Sequence, residues 1–94
     1  MEEEIVQEGS GFVIRDNGAT IAEITFVPEG EGTLVLDHTY VDPAYRGRQL
    51  AERLVKRVVN YARESNKVIV PACSYAHAQF RRHKEYHDVW RKEN

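Results

Sequence analysis

The chain has a single cysteine, Cys73, in a setting that favours chemistry. It follows a short apolar run, Lys67 to Pro71, which is typical of a buried strand, and it precedes a helix that Ser74 can cap. A thiol at a helix N-terminus is more readily deprotonated, because the helix dipole and nearby cations stabilise the thiolate. Cys73 is therefore a candidate nucleophile, or a thiol beside a reactive group. The alternative is a small buried apolar side chain, the commonest role of a lone cysteine.

His38 is the second candidate for chemistry. It lies in a predicted strand, Thr33 to Val41. The alternation of a strand places it on one face with three other residues: Leu34, Leu36 and Tyr40. An unperturbed imidazole titrates near neutrality, so His38 is a possible general base. The alternative is a structural histidine that donates a hydrogen bond to a backbone carbonyl.

Other polar side chains suggest weaker alternatives. Three histidines near Cys73 suggest zinc: His77, His83 and His87. Structural zinc sites normally use paired cysteines, so we expect no metal. The basic run from Arg81 to Lys84 suggests nucleic acid, but a run this short is more often a solvated helix end, and we do not expect that partner.

A loop and a long amphipathic helix follow the strand that carries His38. Asp42-Pro43 ends this strand, because proline fixes its own φ angle and lacks an amide donor. The helix is predicted from about Gly47 to Glu64, and its apolar residues recur at helical spacing: Leu50, Ala51, Leu54, Val55, Val58, Val59 and Ala62.

The start of this helix predicts an anion site. The first amides of a helix have no partner within it, and the helix dipole adds positive charge there. Gly47 lets the backbone approach a ligand closely, and Arg46 and Arg48 add full charges. Phosphate is the most natural anion for such a site.

The stretch Val41 to Ala51 also resembles the acetyl-CoA pyrophosphate loop of the GCN5-related N-acetyltransferases, which has the form Q/R-x-x-G-x-G/A. Three further motifs resemble the small single-domain acetyltransferase-like proteins of the YjdJ type: His38-Thr39-x-Val41, Pro71-x-Cys73-Ser74 and Arg82-His83-x-Glu85-Tyr86. The resemblance covers roughly Leu34 to Tyr86. Gln49 departs from it, because a glycine usually stands there. Either this position does not need a positive φ angle, or the pyrophosphate contact is loosened.

The resemblance implies an acetyl-CoA-dependent N-acetyltransferase that acts on an amine of a small molecule or peptide. Cys73 and His38 would be its catalytic residues. The backbone of Tyr40 and Val41 would hold the pantetheine arm between two splayed strands. The loop would hold the pyrophosphate through six residues: Arg46, Gly47, Arg48, Gln49, Leu50 and Ala51. Three residues would complete the cofactor site: Ser74, Phe80 and Arg82. Phe80 would pack either in the core or on the adenine side. Many enzymes of this superfamily use a glutamate base and a tyrosine acid, and Glu23, Tyr75 and Tyr86 are candidates here without a local signature.

A second function stays open, that of a CoA- or acyl-CoA-binding module with little or no turnover. The chain is short, and larger relatives use additional elements to shape an acceptor pocket.

These residues need an α+β scaffold to position them. The order β-β-β-α-β-α describes an antiparallel meander followed by one βαβ crossover and a C-terminal helix, a minimal fold of the GCN5-related type. The strands are predicted at residues 11–15, 19–27, 33–41 and 67–71, and the second helix at 75–83. Asp16-Asn17-Gly18 predicts the first hairpin turn. Residues 1–10 show little apolar periodicity.

Length and composition indicate one small domain, residues 1–94. No apolar run is long enough to span a bilayer, and the acidic N-terminus is unlike a signal peptide. A lone cysteine favours a reducing compartment, so we expect a cytoplasmic protein, either a monomer or a weak homodimer. Arg15 is the only Lys or Arg before Asp42. The basic second half suggests a polyanionic ligand and the acidic first half a cationic substrate, although segregated surface charge alone explains the pattern equally well.

Overall fold

The computed structural model describes residues 3–91 and arranges five strands in one sheet, in chain order. The strands are β1 (Glu3–Gln7), β2 (Gly11–Asp16), β3 (Ala19–Glu29), β4 (Thr33–Val41) and β5 (Val68–Pro71). The helices are α1 (Leu50–Glu64) and α2 (Ser74–Arg82), and two 3₁₀ segments span Pro43–Tyr45 and Lys84–Val89. The predicted α+β class is confirmed. Met1 and Glu2, part of the acidic N-terminus, lie outside the described residues.

Strand β1 was not predicted. It pairs antiparallel with β2, and Ile5 lies opposite Ile14 on the core side of the sheet. The other apolar residue of β1, Val6, points to the opposite face because side chains alternate along a strand. One inward apolar residue in a charged segment leaves too little periodicity to identify a strand from sequence.

The remaining strands follow the predicted topology. Strands β2, β3 and β4 form an antiparallel meander, and β5 adds to β4 in parallel. The predicted hairpin of β2 and β3 turns at Asn17 and Gly18, which both have positive φ angles. Helix α1 connects β4 to β5, as expected for the crossover.

The core lies between the sheet and α1. The predicted apolar stripe of α1 is buried, apart from the partly exposed Ala51. It packs on inward residues of the sheet such as Phe12, Ile24 and Leu36. Helix α2 joins the same cluster through Ala76 and Phe80. Neither helix in the 3–91 range has an apolar stretch long enough to cross a bilayer.

A β-bulge at Asp37 corrects the predicted faces of β4. Leu36 pairs with Phe26, but His38 pairs with Thr25, so Asp37 has no partner on β3. The extra residue shifts the alternation by one. The expectation that His38 and Tyr40 share a face with Leu34 and Leu36 is therefore wrong. Thr39 and Val41 lie on the core face instead, opposite the buried residues Ile24 and Ala22.

Strands β4 and β5 separate beyond the bulge. Their register ends at the pair Leu36 and Pro71. The amides of Ala72 and Cys73 both donate to the carbonyl of Leu36, at 2.9 and 3.0 Å, and close the ladder. The second half of β4, residues 38–41, therefore has a free edge on the side of β5.

Candidate active site

The loop before α1 is built from a capped turn and two left-handed residues. The carboxylate of Asp42 accepts a hydrogen bond of 2.9 Å from the amide of Ala44 and caps the 3₁₀ segment. Gly47 and Gln49 then have φ angles of 87° and 60°. Because these angles are incompatible with a right-handed helix, α1 begins at Leu50 rather than near Gly47 as predicted.

The turn leaves several backbone amides available to a ligand. Within residues 3–91, the main-chain N–H groups of Gly47, Gln49, Leu50, Ala51 and Glu52 donate to no backbone carbonyl, and that of Arg53 donates to Gln49. The guanidinium of Arg46 makes no ion pair with any described residue. With the helix dipole behind them, these groups form a local site for an anion.

The conformation of Gln49 excludes one of the two alternatives at the missing glycine, while a loosened pyrophosphate contact stays a prediction. Its φ angle is positive, so the position requires the left-handed region even without glycine. A non-glycine residue adopts this region at a cost of about 1–2 kcal/mol. Gln49 therefore preserves the backbone shape of the loop at the expense of stability.

The N-terminal strands hold this loop in place. The hydroxyl of Tyr45 donates to the buried carboxylate of Asp16 at 3.1 Å. This hydrogen bond, with burial, raises the pKa of Tyr45. Arg48 stacks over the ring of Tyr45 at 5.1 Å, and Arg48 and Arg53 both bind Glu3, at 3.4 and 2.7 Å. The unpredicted strand β1 thus anchors the start of α1.

A cavity of about 460 Å³ connects the loop with the gap between β4 and β5. Its volume falls in the range typical of ligand sites. The cavity is lined by residues of the loop, of β4 and of α2: Thr39, Val41, Tyr45, Arg46, Gly47, Gln49, Leu50, Ala51, Glu52 and Tyr75. Five predicted loop residues are among them, whereas Arg48 turns toward Glu3.

Cys73 is half-buried and does not itself line this cavity, but it contacts Thr39, which does. It is the N-cap of α2, so the prediction that Ser74 caps this helix is wrong. The sulfur accepts a hydrogen bond of 3.4 Å from the amide of Ala76. The thiol therefore takes the N-cap role that a serine hydroxyl usually has in helices. The Oγ1 of Thr39 lies 3.4 Å from the same sulfur. Sequence reasoning missed Thr39, and only its place in the His38-Thr39-x-Val41 motif marked it.

His38 does not join Cys73 on one face. It is exposed on the opposite face of the sheet, together with Tyr40 and Glu23. The same face carries Asp37, whose carboxylate accepts a hydrogen bond of 2.7 Å from the hydroxyl of Thr25. The structure therefore places the two predicted catalytic residues on either side of the sheet, next to the gap.

Tyr75 contributes a neutral donor to the cavity. Burial, and next the negative charge of Glu52, raise the pKa of Tyr75 to about 12. Its hydroxyl is therefore protonated at neutral pH and can donate a hydrogen bond to an anion that forms in the cavity.

The structure does not bring the remaining predicted cofactor residues together. Ser74 and Arg82 are exposed on α2. Phe80 is fully buried against Tyr86 and Trp90, so its predicted place in the core is confirmed and its predicted contact with the cofactor is wrong. Its ring fills the core because the sheet and α1 need an apolar cover at this end.

The three histidines suggested for zinc make different contacts. His77 packs edge-on against Trp90, His83 bonds to Gln79 at 3.1 Å, and the Nε2 of His87 lies 2.9 Å from the carbonyl of Phe80. Across the described range, no three His, Cys, Asp or Glu side chains converge as a metal-binding group.

Comparison with known families matches residues 11–89 to the model of the GCN5-related N-acetyltransferases. Among solved structures, a GCN5-like protein of Staphylococcus aureus is 33% identical, with a TM-score of 0.80, and the match covers 97% of this chain and 90% of that protein. Comparison with curated proteins found no significant match.

Two larger structures share the fold. The N-acetyltransferase YhbS of Escherichia coli, solved with CoA, is 28% identical with a TM-score of 0.58, and the match covers 64% of this chain and 38% of YhbS. An acetyltransferase of Brucella melitensis, solved with acetyl-CoA, is 21% identical with a TM-score of 0.60, over 77% of this chain and 49% of that protein. The chain thus spans half or less of these two proteins.

Proposed function

The chain belongs to the GCN5-related N-acetyltransferase family, and we propose that it transfers the acetyl group of acetyl-CoA to an amine. The observation that carries this proposal is one cavity that joins the backbone amides at the start of α1 to Thr39 and Tyr75, beside the gap between β4 and β5. The grouping with proteins of the YjdJ type remains a prediction, as does the treatment of residues 1–94 as one domain.

The residues present fit acetyl-CoA at both ends of the cavity. The amides from Gly47 to Ala51, with Arg46, would hold the diphosphate. The free edge of β4 at Tyr40 and Val41 offers backbone groups to an amide-containing arm, as an open strand edge does for peptides. When bound, acetyl-CoA supplies an activated thioester.

The chain itself would supply positioning and proton transfer. A thioester reacts readily with an amine once the two are aligned, so much of the rate would come from orientation. Tyr75 would donate a hydrogen bond where negative charge develops. His38 would accept the proton of an amine that approaches from the opposite face, where Glu23 and Asp37 attract cations. Cys73 would either line the thioester site or accept the acetyl group itself.

The acceptor would be an amine of a small molecule or peptide. We further propose that the protein is cytoplasmic. We also propose that it works as a monomer or weak homodimer, and sedimentation at several concentrations would test this oligomeric state.

Calorimetric titration with acetyl-CoA and with CoA tests the cofactor site. Gly47→Glu places a carboxylate among the free amides, and nothing lies within 4 Å of the added Cβ, so there is room for the side chain. Gly47→Gln is the matched control, because it imposes the same strain at the positive φ angle without the charge. We expect the glutamate variant to bind at least about tenfold more weakly than the glutamine variant. Absence of binding by the wild-type protein at millimolar ligand would refute the proposal.

A binding module without turnover is the second candidate. It is favoured by the coverage, since this chain spans half or less of these two larger proteins. Release of the CoA thiol in the presence of a panel of amines separates the two functions. Tight binding without thiol release for any amine would favour the binding module.

A further inference from the structure

The carboxylate of Glu3 binds two arginines that lie on either side of the residue at which α1 begins. Its Oε1 is 2.7 Å from the guanidinium of Arg53, and its Oε2 is 3.4 Å from that of Arg48. Arg48 belongs to the loop, whereas Arg53 lies in the first turn of α1. The side chain of Glu3 is only 18% exposed. Glu3 therefore joins the loop to the helix from a third element, the edge strand β1.

Arg48 is also held at a second point. Its guanidinium lies 5.1 Å from the centre of the ring of Tyr45, whose hydroxyl donates to Asp16. Arg48 stands between Gly47 and Gln49, which both have left-handed backbone angles. Since a left-handed glutamine costs free energy, contacts elsewhere must offset this cost. The two contacts of the Arg48 side chain lie at the position where they can do so.

The competing conformation is an earlier start of α1. With right-handed angles at residues 47–49, the helix would begin near Gly47, as the local sequence predicts. The amides of residues 50–52 would then donate to the carbonyls four residues earlier and would no longer be available to a ligand. The first unpaired amides would move back by about one turn, roughly 5 Å along the helix axis.

The contacts of Glu3 oppose this longer helix. Residues that are five apart on an α-helix lie about 140° apart around its axis. Arg48 and Arg53 would therefore point in different directions on a continuous helix, and one carboxylate could no longer bind both guanidiniums closely. The shared contact with Glu3 thus favours the loop over the longer helix.

We propose that Glu3 is a positioning residue for the transfer site, which holds Arg48 and Arg53 together and so prevents an early start of α1. The amides of residues 50–52 then stay available to the ligand. The effect on ligand affinity rests on the proposed function, whereas the effect on the backbone does not. Arg48 acts here as an anchor of the loop, and β1 becomes part of the structure that shapes the site.

NMR of the ligand-free protein tests the effect on the backbone. We expect Glu3→Gln to move the ¹³Cα chemical shifts of residues 47–49 toward helical values. Amide hydrogen exchange of residues 50–52 should slow by about twofold or more, because each amide gains a carbonyl partner. A merely structural role of Glu3 would have the opposite effect, since loosening of the loop would speed this exchange.

Two further variants make this measurement specific. Glu4→Gln is the matched control, because it removes the same charge at the next residue of β1, whose side chain points to the other face of the sheet. Arg48→Met should reproduce the shifts and the slower exchange of Glu3→Gln. Addition of Glu3→Gln to Arg48→Met should change neither further, and a full additional effect would overturn the inference.

Calorimetric titration with CoA tests the effect on the ligand. We expect Glu3→Gln to bind CoA about two- to fivefold more weakly than Glu4→Gln does, the range for one ion pair of this kind. Equal or tighter binding by the Glu3 variant would overturn the inference, and tighter binding would mean that Glu3 competes with the ligand for the arginines.

The two measurements separate this inference from the proposed function. Unchanged or faster amide exchange in Glu3→Gln, with CoA binding by the wild-type protein, would overturn the inference and leave the proposed function intact. Absence of CoA binding by the wild-type protein at millimolar ligand would overturn both.

Discussion

The hydroxyl of Thr39 lies 3.4 Å from the thiol sulfur of Cys73, across the gap at which β4 and β5 separate. The amide of Ala76 reaches the same sulfur at 3.4 Å. Two potential donors from different elements therefore converge on one thiol, and one of them, Thr39, also lines the cavity. Hydrogen bonds to a charged sulfur favour the thiolate, the reactive form.

Removal of the Thr39 hydroxyl should slow the chemistry of Cys73. We expect Thr39→Val to lower the rate at which iodoacetamide alkylates Cys73 by about three- to tenfold at neutral pH, the effect of one lost hydrogen bond. Thr39→Ser keeps the hydroxyl and should react like the wild-type protein. Equal alkylation rates in the valine and serine variants would show that Thr39 does not act on the thiol.

Substitution of Cys73 should separate its role in capping from its role in chemistry. Cys73→Ser keeps a helix cap and should retain CoA affinity and stability, whereas Cys73→Ala should destabilise the fold by about 0.5–1 kcal/mol through loss of the cap. If the thiol accepts the acetyl group, both variants should lose acetyl transfer in the CoA-release assay. Full turnover by the serine variant would reduce Cys73 to a residue that lines the pocket.

The left-handed conformation of Gln49 predicts an unusual response to substitution. Gln49→Gly should leave the free energy of unfolding unchanged or raise it by up to about 1 kcal/mol, because relief of strain exceeds the entropy cost of glycine. Gln49→Val should lower it by about 1–2 kcal/mol, since β-branched residues fit poorly at positive φ. Urea unfolding measures both. Lys56→Val, an exposed position with ordinary helical geometry, controls for helix propensity, and an equal loss there would contradict the role of φ.

Tyr45 should stabilise the fold through Asp16. Within the described residues, Oδ1 of Asp16 has no hydrogen-bond partner, so Tyr45 provides the donor for this buried carboxylate. Tyr45→Phe should lower the free energy of unfolding, whereas Tyr40→Phe, at an exposed position, should have little effect. In a double-mutant cycle with Asp16→Ala, the two losses should be less than additive. Additive losses would mean that the hydrogen bond does not stabilise the protein.

Tyr75 should make stability fall at high pH. Its pKa is raised to about 12 in the folded protein from an ordinary value of 10.0. Below pH 10 both states keep the proton, so this contribution is fully present. Between about pH 10 and 12 the unfolded chain ionises first, and the contribution is lost as the pH rises. Tyr75→Phe should flatten the alkaline decline of the melting temperature, and Tyr40→Phe should not. An equally steep decline in both variants would contradict this assignment.

Sequence patterns determined those parts of the protein that depend on neighbouring residues. The spacing of apolar residues located α1, Asn17-Gly18 located the first hairpin, and Pro43 with Gly47 located the anion loop. The sequence correctly placed Cys73 just before α2, but it predicted Ser74 rather than Cys73 as the N-cap. These features follow from local backbone preferences and from a periodicity that is visible within a few turns.

Tertiary pairing decided which side chains meet. The bulge at Asp37 shifts the register between β3 and β4, and it turns Thr39 into the cavity while His38 faces away. Strand β1 pairs with β2, far from α1 in the chain, and its Glu3 binds two arginines near the start of α1. The burial of Phe80 likewise depends on Tyr86 and Trp90. Contacts between residues far apart in the chain leave no periodic trace in the sequence, so only the folded structure reveals them.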